Sequence, residues 1–266
     1  MTNDTLAPEL TAAIDQLETD DPIQALATLT AYLAAHPDDP AGHFYQGDAL
    51  AELGRLNEAI TAYQTGLQLS PNDPDALTSL GDLQLEAGRH QDALASYRRV
   101  QELDPHDSDA LVSIGLVYQA QDRTDEAITA FNQALEREPD NLFAINALGD
   151  AWYGKGEHEK AIEAYRKGIA LDPEDPAAYH SLGELYYDLE EYEEAEEQCR
   201  FALERDPAFS MAYLTLGGIC MDQERMEEAL TCYQQYLKYE RSPQAAEMLA
   251  EVRAVVEGLK EELGKQ

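Results

Sequence analysis

The chain has 266 residues, with 18 Lys plus Arg against 53 Asp plus Glu and a formal charge of -35. A surface of that sign repels phosphate backbones and anionic bilayers, which excludes non-specific nucleic-acid binding and favours partners with basic segments. No run approaches the ~18 apolar residues of a membrane span, so no membrane insertion is expected.

The first residues, MTNDTLAPEL, hold no Lys or Arg and no apolar run, so no secretory signal is expected and the chain is placed in the cytoplasm. From there on, punctuation returns every 34 residues. Gly47, Gly81, Gly115, Gly149, Gly183 and Gly217 keep that step, as do Ala25, Ala59, Ala93, Ala127, Ala161, Ala195 and Ala229. Pro37, Pro71, Pro105, Pro139, Pro173 and Pro207 share it, and so does the aromatic row Tyr63, Tyr97, Phe131, Tyr165 and Tyr233, with Leu29 and Cys199 in the same register. Phase-locked rows of this kind mark a repeat protein. The repeats run 6–39, 40–73, 74–107, 108–141, 142–175, 176–209 and 210–243. The first has Ala13 in place of Gly, and the seventh has Arg241 in place of Pro, with Pro243 two residues later.

The fifth repeat shows the physics. Ile145, Leu148 and Trp152 are spaced for a first helix, and Ala161, Tyr165 and Ile169 for a second from about Glu159 to Leu171. Small Gly149 and Ala161 let the two approach, Trp152 and Tyr165 fill the space beside them, and Pro173 stops the second helix. One such pair cannot bury both faces, so it must stack on its neighbours. Between the helices lies GKGEH at 154–158. It lacks the phosphate-binding GxxxxGK[ST] pattern and follows a helix, so it reads as a turn.

In the sixth repeat the turn is DLEEYEEAEE, residues 188–197. Ala195 is its packing anchor, Tyr192 covers the turn, and Glu190 stands where Gly54, Gly88 and Gly156 stand elsewhere. Glu193 and Glu194 suit a helix N-terminus. Glu196 departs from Ile60, Leu94, Ile128, Ile162 and Leu230, which predicts an edge more exposed than its neighbours. The three cysteines, Cys199, Cys220 and Cys232, are odd in number and show no CxxC spacing, so they read as reduced thiols with neither a disulfide framework nor a zinc site. Residues 244–262 carry Met248, Leu249, Val252, Val255, Val256 and Leu259 on a helical stripe, with Ser242 as N-cap and Pro243 in the first turn. This is a terminal capping helix.

The Gly, Ala, aromatic and Pro rows together resemble the tetratricopeptide repeat (TPR), and the resemblance covers residues 6–262. It implies an all-α fold: a single right-handed superhelical solenoid of antiparallel helix pairs, fifteen helices in all. It also implies that the first helix of each pair lines a concave, peptide-binding groove. Carried over, the groove positions of repeats two to seven hold ten acids: Asp48, Glu52, Asp75, Asp82, Glu86, Asp109, Asp150, Glu184, Asp188 and Asp222. None is Lys or Arg. Phe44, Tyr45, Phe143, Asn146, Tyr153, His180 and Tyr187 share the face. Asp48/Glu52, Asp82/Glu86 and Glu184/Asp188 are i,i+4 pairs, each on one helix face, and a partner's Arg or Lys is their natural counter-ion.

The excess of acids over composition is mild, and many acids with only 6 Lys also suit a chain kept soluble in high salt. Family members that clamp the acidic tails of heat-shock chaperones use Lys, Arg and Asn. Here the corresponding positions hold Phe44, Asp48, Ser79, Asp109 and Ser113, so an acidic tail would be repelled. His180 and Glu184 are i,i+4 and offer a metal or acid–base pair, but His36, His43, His90, His106 and His158 form no cluster with them, and no nucleophile with a base is present. The chain is therefore read as non-catalytic and without cofactor or metal. It is a scaffold that binds a basic or aromatic-containing peptide segment in an acidic groove, with a monomer favoured. The alternative is a structural subunit that acts by self-association or convex-face docking.

Overall fold

The computed structural model describes residues 7–264. Leu6, which opens the first repeat, and the five residues before it lie outside the described residues. Among those described there are fifteen α-helices and one 3-10 turn, with no strand. The chain divides after Pro139 into two compact units.

The first unit holds α1 (Pro8–Glu18), α2 (Pro22–Ala35), α3 (Pro40–Glu52), α4 (Leu56–Leu69), α5 (Pro74–Glu86), α6 (His90–Leu103), α7 (Asp109–Gln119) and α8 (Thr124–Arg137). Helices pack as antiparallel pairs, α1 on α2 through α7 on α8, and α2, α4 and α6 each also pack on the next first helix. The second unit repeats this with α9 (Leu142–Gly154), α10 (His158–Leu171), α11 (Pro176–Asp188), α12 (Tyr192–Arg205), α13 (Ser210–Asp222) and α14 (Met226–Tyr239), closed by α15 (Ala246–Leu263) against α14.

The starts of the first helices are written in the sequence. Asp39, Asp73, Asn141 and Asp175 each accept a hydrogen bond from a backbone N–H of the first turn, at 2.9–3.1 Å. Proline occupies the first helical position after three of them, where its missing N–H costs nothing. The glycine row meets the aromatic row of the same pair. A Cβ on Gly81 would lie 2.5 Å from the Tyr97 ring, and one on Gly149 would lie 2.6 Å from the Tyr165 ring. The rings are buried in consequence, Tyr97 and Tyr165 to 1% exposure and Phe131 fully. Each such burial is worth ~1.5–3 kcal/mol. In the sixth pair Cys199 takes the ring's place, and its Sγ would lie 2.9 Å from a Cβ on Gly183.

Every turn within a pair closes the same way. Asp20, Gly54, Gly88, Asp122, Gly156, Glu190 and Glu224 hold the same register, and all have φ between 57° and 76°. At the sixth, Glu190 N–H bonds Tyr187 O and Glu191 N–H bonds Tyr186 O, both at 2.9 Å. That is the Schellman motif, which wants glycine at its left-handed residue. The C-terminal helix begins later than expected. Ser242 Oγ accepts from Gln244 N–H at 3.3 Å and caps a 3-10 turn, Pro243–Ala245, from which α15 grows. Val252, Val256 and Leu259 are buried against Tyr236, Cys220 and Ala229, while Met248 and Val255 stay exposed.

Candidate functional site

In the first unit, α3 carries Phe44, Tyr45, Asp48 and Glu52, α5 carries Asp75, Asp82 and Glu86, and α7 carries Asp109. Two of these acids are held from within. Tyr63 of α4 donates its hydroxyl to Asp48, and Tyr97 of α6 donates to Asp82 at 2.6 Å. Ser79 and Ser113, each on the following first helix, lie near those same hydroxyls and work against the rise of the phenols. Each tyrosine thus ties together the two helices of its own pair. Burial raises the Asp48 carboxyl above its usual range, and the Tyr63 hydrogen bond opposes that. Burial and the adjoining carboxylate drive both phenols far above theirs.

Glu52, Asp75 and Glu86 differ. They are exposed, and no hydrogen bond or ion pair to them occurs among the described residues. Phe44 is committed to the core: its ring stacks on Tyr63 with centroids 5.7 Å apart and covers Gly66. Tyr45 is half-buried against the core of the first pair.

In the second unit, α9 carries Phe143, Asn146, Asp150 and Tyr153, α11 carries His180, Glu184, Tyr187 and Asp188, and α13 carries Asp222. Asp150 repeats the pattern and accepts from Tyr165 at 2.7 Å; burial raises its carboxyl. A second ladder runs between first helices. Tyr153 donates to Asp188, and Tyr187 donates to Asp222 at 2.8 Å. Its signal is visible in the sequence as a tyrosine followed 35 residues later by an aspartate, one residue off the 34-residue rows. Glu184, flanked by Asp188 and Asp150, is raised first by burial and then by those two charges. Asn146 is half-buried, with Oδ1 shielded and without a partner among the described residues. Phe143 projects 79% exposed.

His180 does not present a free imidazole to solvent. It is 6% exposed, its Nε2 lies 3.1 Å from Thr215 Oγ1 on α13, and its ring meets the Phe209 ring edge-on at 5.4 Å. Burial pulls it down to about 4, against a hydrogen bond to the Met211 backbone. It is therefore neutral near pH 7 and ties α11 to α13. Its Nδ1 stands 3.7 Å from Glu184 Oε2, too far for a hydrogen bond. No third His, Cys, Asp or Glu completes a metal-ligand set with this pair among the described residues. Glu196 also departs from expectation. Its side chain is only 15% exposed because Arg200 and Arg225 close over it.

A family described as TPR repeat matches residues 47–88 and 149–190, and families described as tetratricopeptide repeat match 84–151 and 180–251. The chain belongs to the tetratricopeptide repeat family. Solved structures agree on the fold. A TPR protein from Parabacteroides merdae superposes with a TM-score of 0.76 at 19% identity, over 93% of this chain and 97% of that one. Yeast Tom70 gives 0.75 at 18% identity over 96% of this chain and 53% of its own. MamA is 32% identical over 60% of this chain and 94% of its own, with a TM-score of 0.52. No curated protein matches. TPR proteins are generally non-catalytic protein–protein interaction scaffolds. Among the described residues no helix is long and apolar enough to cross a membrane.

Proposed function

We propose that this TPR chain is an interaction scaffold whose first-helix face in the first unit holds a basic, extended segment of a partner protein. One observation carries the reading. Asp48/Glu52 and Asp82/Glu86 repeat on α3 and α5, and the outer member of each pair, Glu52 and Glu86, is exposed with no internal partner among the described residues. A tyrosine hydroxyl fixes the position of each inner member. Two such pairs on consecutive first helices match the fork of successive Arg side chains. Phe143 on the second unit offers an exposed ring of the kind that anchors interfaces.

The test uses an unstructured decapeptide of alternating Arg and Ala, with a Glu–Ala peptide as control. The Arg peptide binds, weakens as salt rises, and loses most of its affinity to Glu52→Gln/Glu86→Gln, while the Glu peptide does not bind. Binding that ignores both salt and the double substitution would refute the reading. The partly exposed Met248 and Val255 on α15 support a second reading, docking or self-association through that helix. Light scattering that shows a concentration-dependent dimer abolished by Met248→Glu would favour it.

A further inference from the structure

His180 and Glu184 of α11 look in the sequence like half of a metal site or an acid–base pair. The structure gives them a different chemistry. Thr215 Oγ1 lies 3.1 Å from His180 Nε2 and donates its own proton to Met211 O at 3.3 Å. A hydroxyl whose proton is engaged can only accept, so the imidazole proton sits on Nε2. The Met211 carbonyl, on that same side of the ring, draws on it as well. Neutral His180 is left with a bare lone pair on Nδ1. That atom has no hydrogen-bond partner among the described residues, and unlike His158 Nδ1 it is not cut off from solvent. The ring is packed down to 6% exposure, so Nδ1 cannot turn away to find one.

What Nδ1 faces is more acceptors. Glu184 Oε2 stands 3.7 Å from it, too far for a hydrogen bond. Asp150 and Asp188 both press their charge on Glu184, and tyrosines hold them in place, Tyr165 for Asp150 and Tyr153 for Asp188. No Lys or Arg bonds any of these three carboxylates among the described residues. Acceptors thus gather from α9 and α11 around a point that lacks a cationic donor. A small metal ion does not answer them, because among the described residues no three of these ligand atoms lie within 4.8 Å of one another. An organic cation reaches farther, since each of its N–H groups places the nitrogen about 2.9 Å from an acceptor.

We propose that His180 Nδ1, Glu184, Asp150 and Asp188 form a receptor for the ammonium group of a lysine on a partner protein. One N–H goes to Nδ1 and a second to Glu184 Oε2, two acceptors 3.7 Å apart that a single nitrogen about 2.9 Å from each can bridge. The third turns toward the aspartates. Three donors diverging from one atom suit acceptors set on several sides, whereas the planar guanidinium fork suits the two oxygens of one carboxylate. Tyr153, whose hydroxyl holds Asp188 and which feels the Glu184 charge, gives the lysine stem an apolar wall. Burial and the two aspartates raise the Glu184 carboxyl, and a bound cation relieves that repulsion. The receptor lies wholly on the second unit, so it stands or falls separately from the peptide face proposed for the first.

The experiment titrates the ¹⁵N-labelled full chain near neutral pH with Nα-acetyl-lysine methylamide, and with its Nε-acetylated form as control. Long-range ¹H–¹⁵N spectra should show His180 as the Nε2–H tautomer. Lysine should shift Nδ1 in a saturable way, while the Nε-acetylated form leaves it unmoved. Glu184 is half-exposed, so Glu184→Gln keeps the fold by circular dichroism and weakens the lysine response roughly tenfold or more. Glu52→Gln/Glu86→Gln leaves that response unchanged, which separates this receptor from the first-unit face. An Nδ1–H tautomer, no shift at large excess of lysine, or an equal shift in Glu184→Gln would overturn the assignment. So would an arginine analogue that binds as tightly as lysine, or Ca²⁺ that reproduces the shift.

Discussion

Glu190 and Glu224 sit at the left-handed residue of their turns, with φ of 59° in each, where Gly54, Gly88 and Gly156 have 69° to 76°. An L-residue held there costs roughly 1–2 kcal/mol. Replacing it by glycine recovers that cost less the extra freedom glycine gains in the unfolded chain, about 0.4–1 kcal/mol. Glu190→Gly should therefore stabilise by about 0.5–1 kcal/mol, and the double substitution with Glu224→Gly by about twice that, since the turns are separate. For a chain of this size that is a midpoint rise of roughly 2–6 °C for the double variant. The reverse change isolates the backbone. Nothing lies within 4 Å of a Cβ built on Gly54, Gly88 or Gly156, so Gly88→Ala meets no steric clash and should lose about 1 kcal/mol from φ alone. Glu190→Gln keeps the Cβ and removes the charge, and so reports electrostatics by itself. Thermal and urea unfolding read all four, with the urea slope compared because repeat arrays can lose two-state behaviour. If Glu190→Gln stabilised as much as Glu190→Gly, or if Gly88→Ala cost nothing, the backbone explanation would fail.

Gly149→Ala should destabilise by about 1–3 kcal/mol, because its Cβ would lie 2.6 Å from the Tyr165 ring; urea denaturation checks it, and a neutral outcome would show that the helices can part. His180 is pulled to about 4 by burial, against an unfolded value near 6.5. Its stabilising contribution is fully present above about pH 6.5 and lost as pH falls toward 4. The stability difference between the native chain and His180→Gln should thus shift by roughly 3 kcal/mol across that window; a flat difference, or an imidazole titrating above pH 6 by NMR, would contradict it. Asp48, Asp150 and Glu184 are shifted the opposite way, which is why the difference between variants, and not the raw curve, carries the test.

Much of the fold was legible because it is periodic. The glycine and aromatic rows named both partners of each close contact, and the residues standing for turn glycines named the left-handed positions even where Glu190 replaced the glycine. The start of α15 was misplaced by two residues, since a 3-10 turn and an α-helix share the same capping residues. The candidate site was harder. Register told which residues share a face, but not what else reaches that face. Phe44 turned into the core because Gly66 opposite it leaves a ring-sized gap. His180 became a tie between helices because Thr215, 35 residues away, meets its ring. Glu196 was expected at an exposed edge, yet Arg225 from the next pair covers it. Each of these outcomes rests on a neighbour in another helix, which single-register reading does not weigh.

The same neighbours bear on what the charge is for. Asp48, Asp82, Asp150, Asp188 and Asp222 all accept a tyrosine hydroxyl. A lysine in the tyrosine's place would satisfy the carboxylate equally well and cancel its charge. The phenol, a neutral donor, fixes the carboxylate in one orientation and brings no opposing charge. A chain that needed acidity only for solvation has no use for fixed carboxylates, because mobile ones hydrate as well and lose less side-chain entropy. A chain that must present charge to a partner gains from it, since orientation paid for in folding is not paid again on binding. Tyr97→Phe separates the two. It leaves net charge unchanged and frees Asp82, so under the binding reading the Arg peptide weakens severalfold, whereas solubility in high salt stays the same. Loss of solubility with peptide affinity intact would assign these bonds to solvation instead.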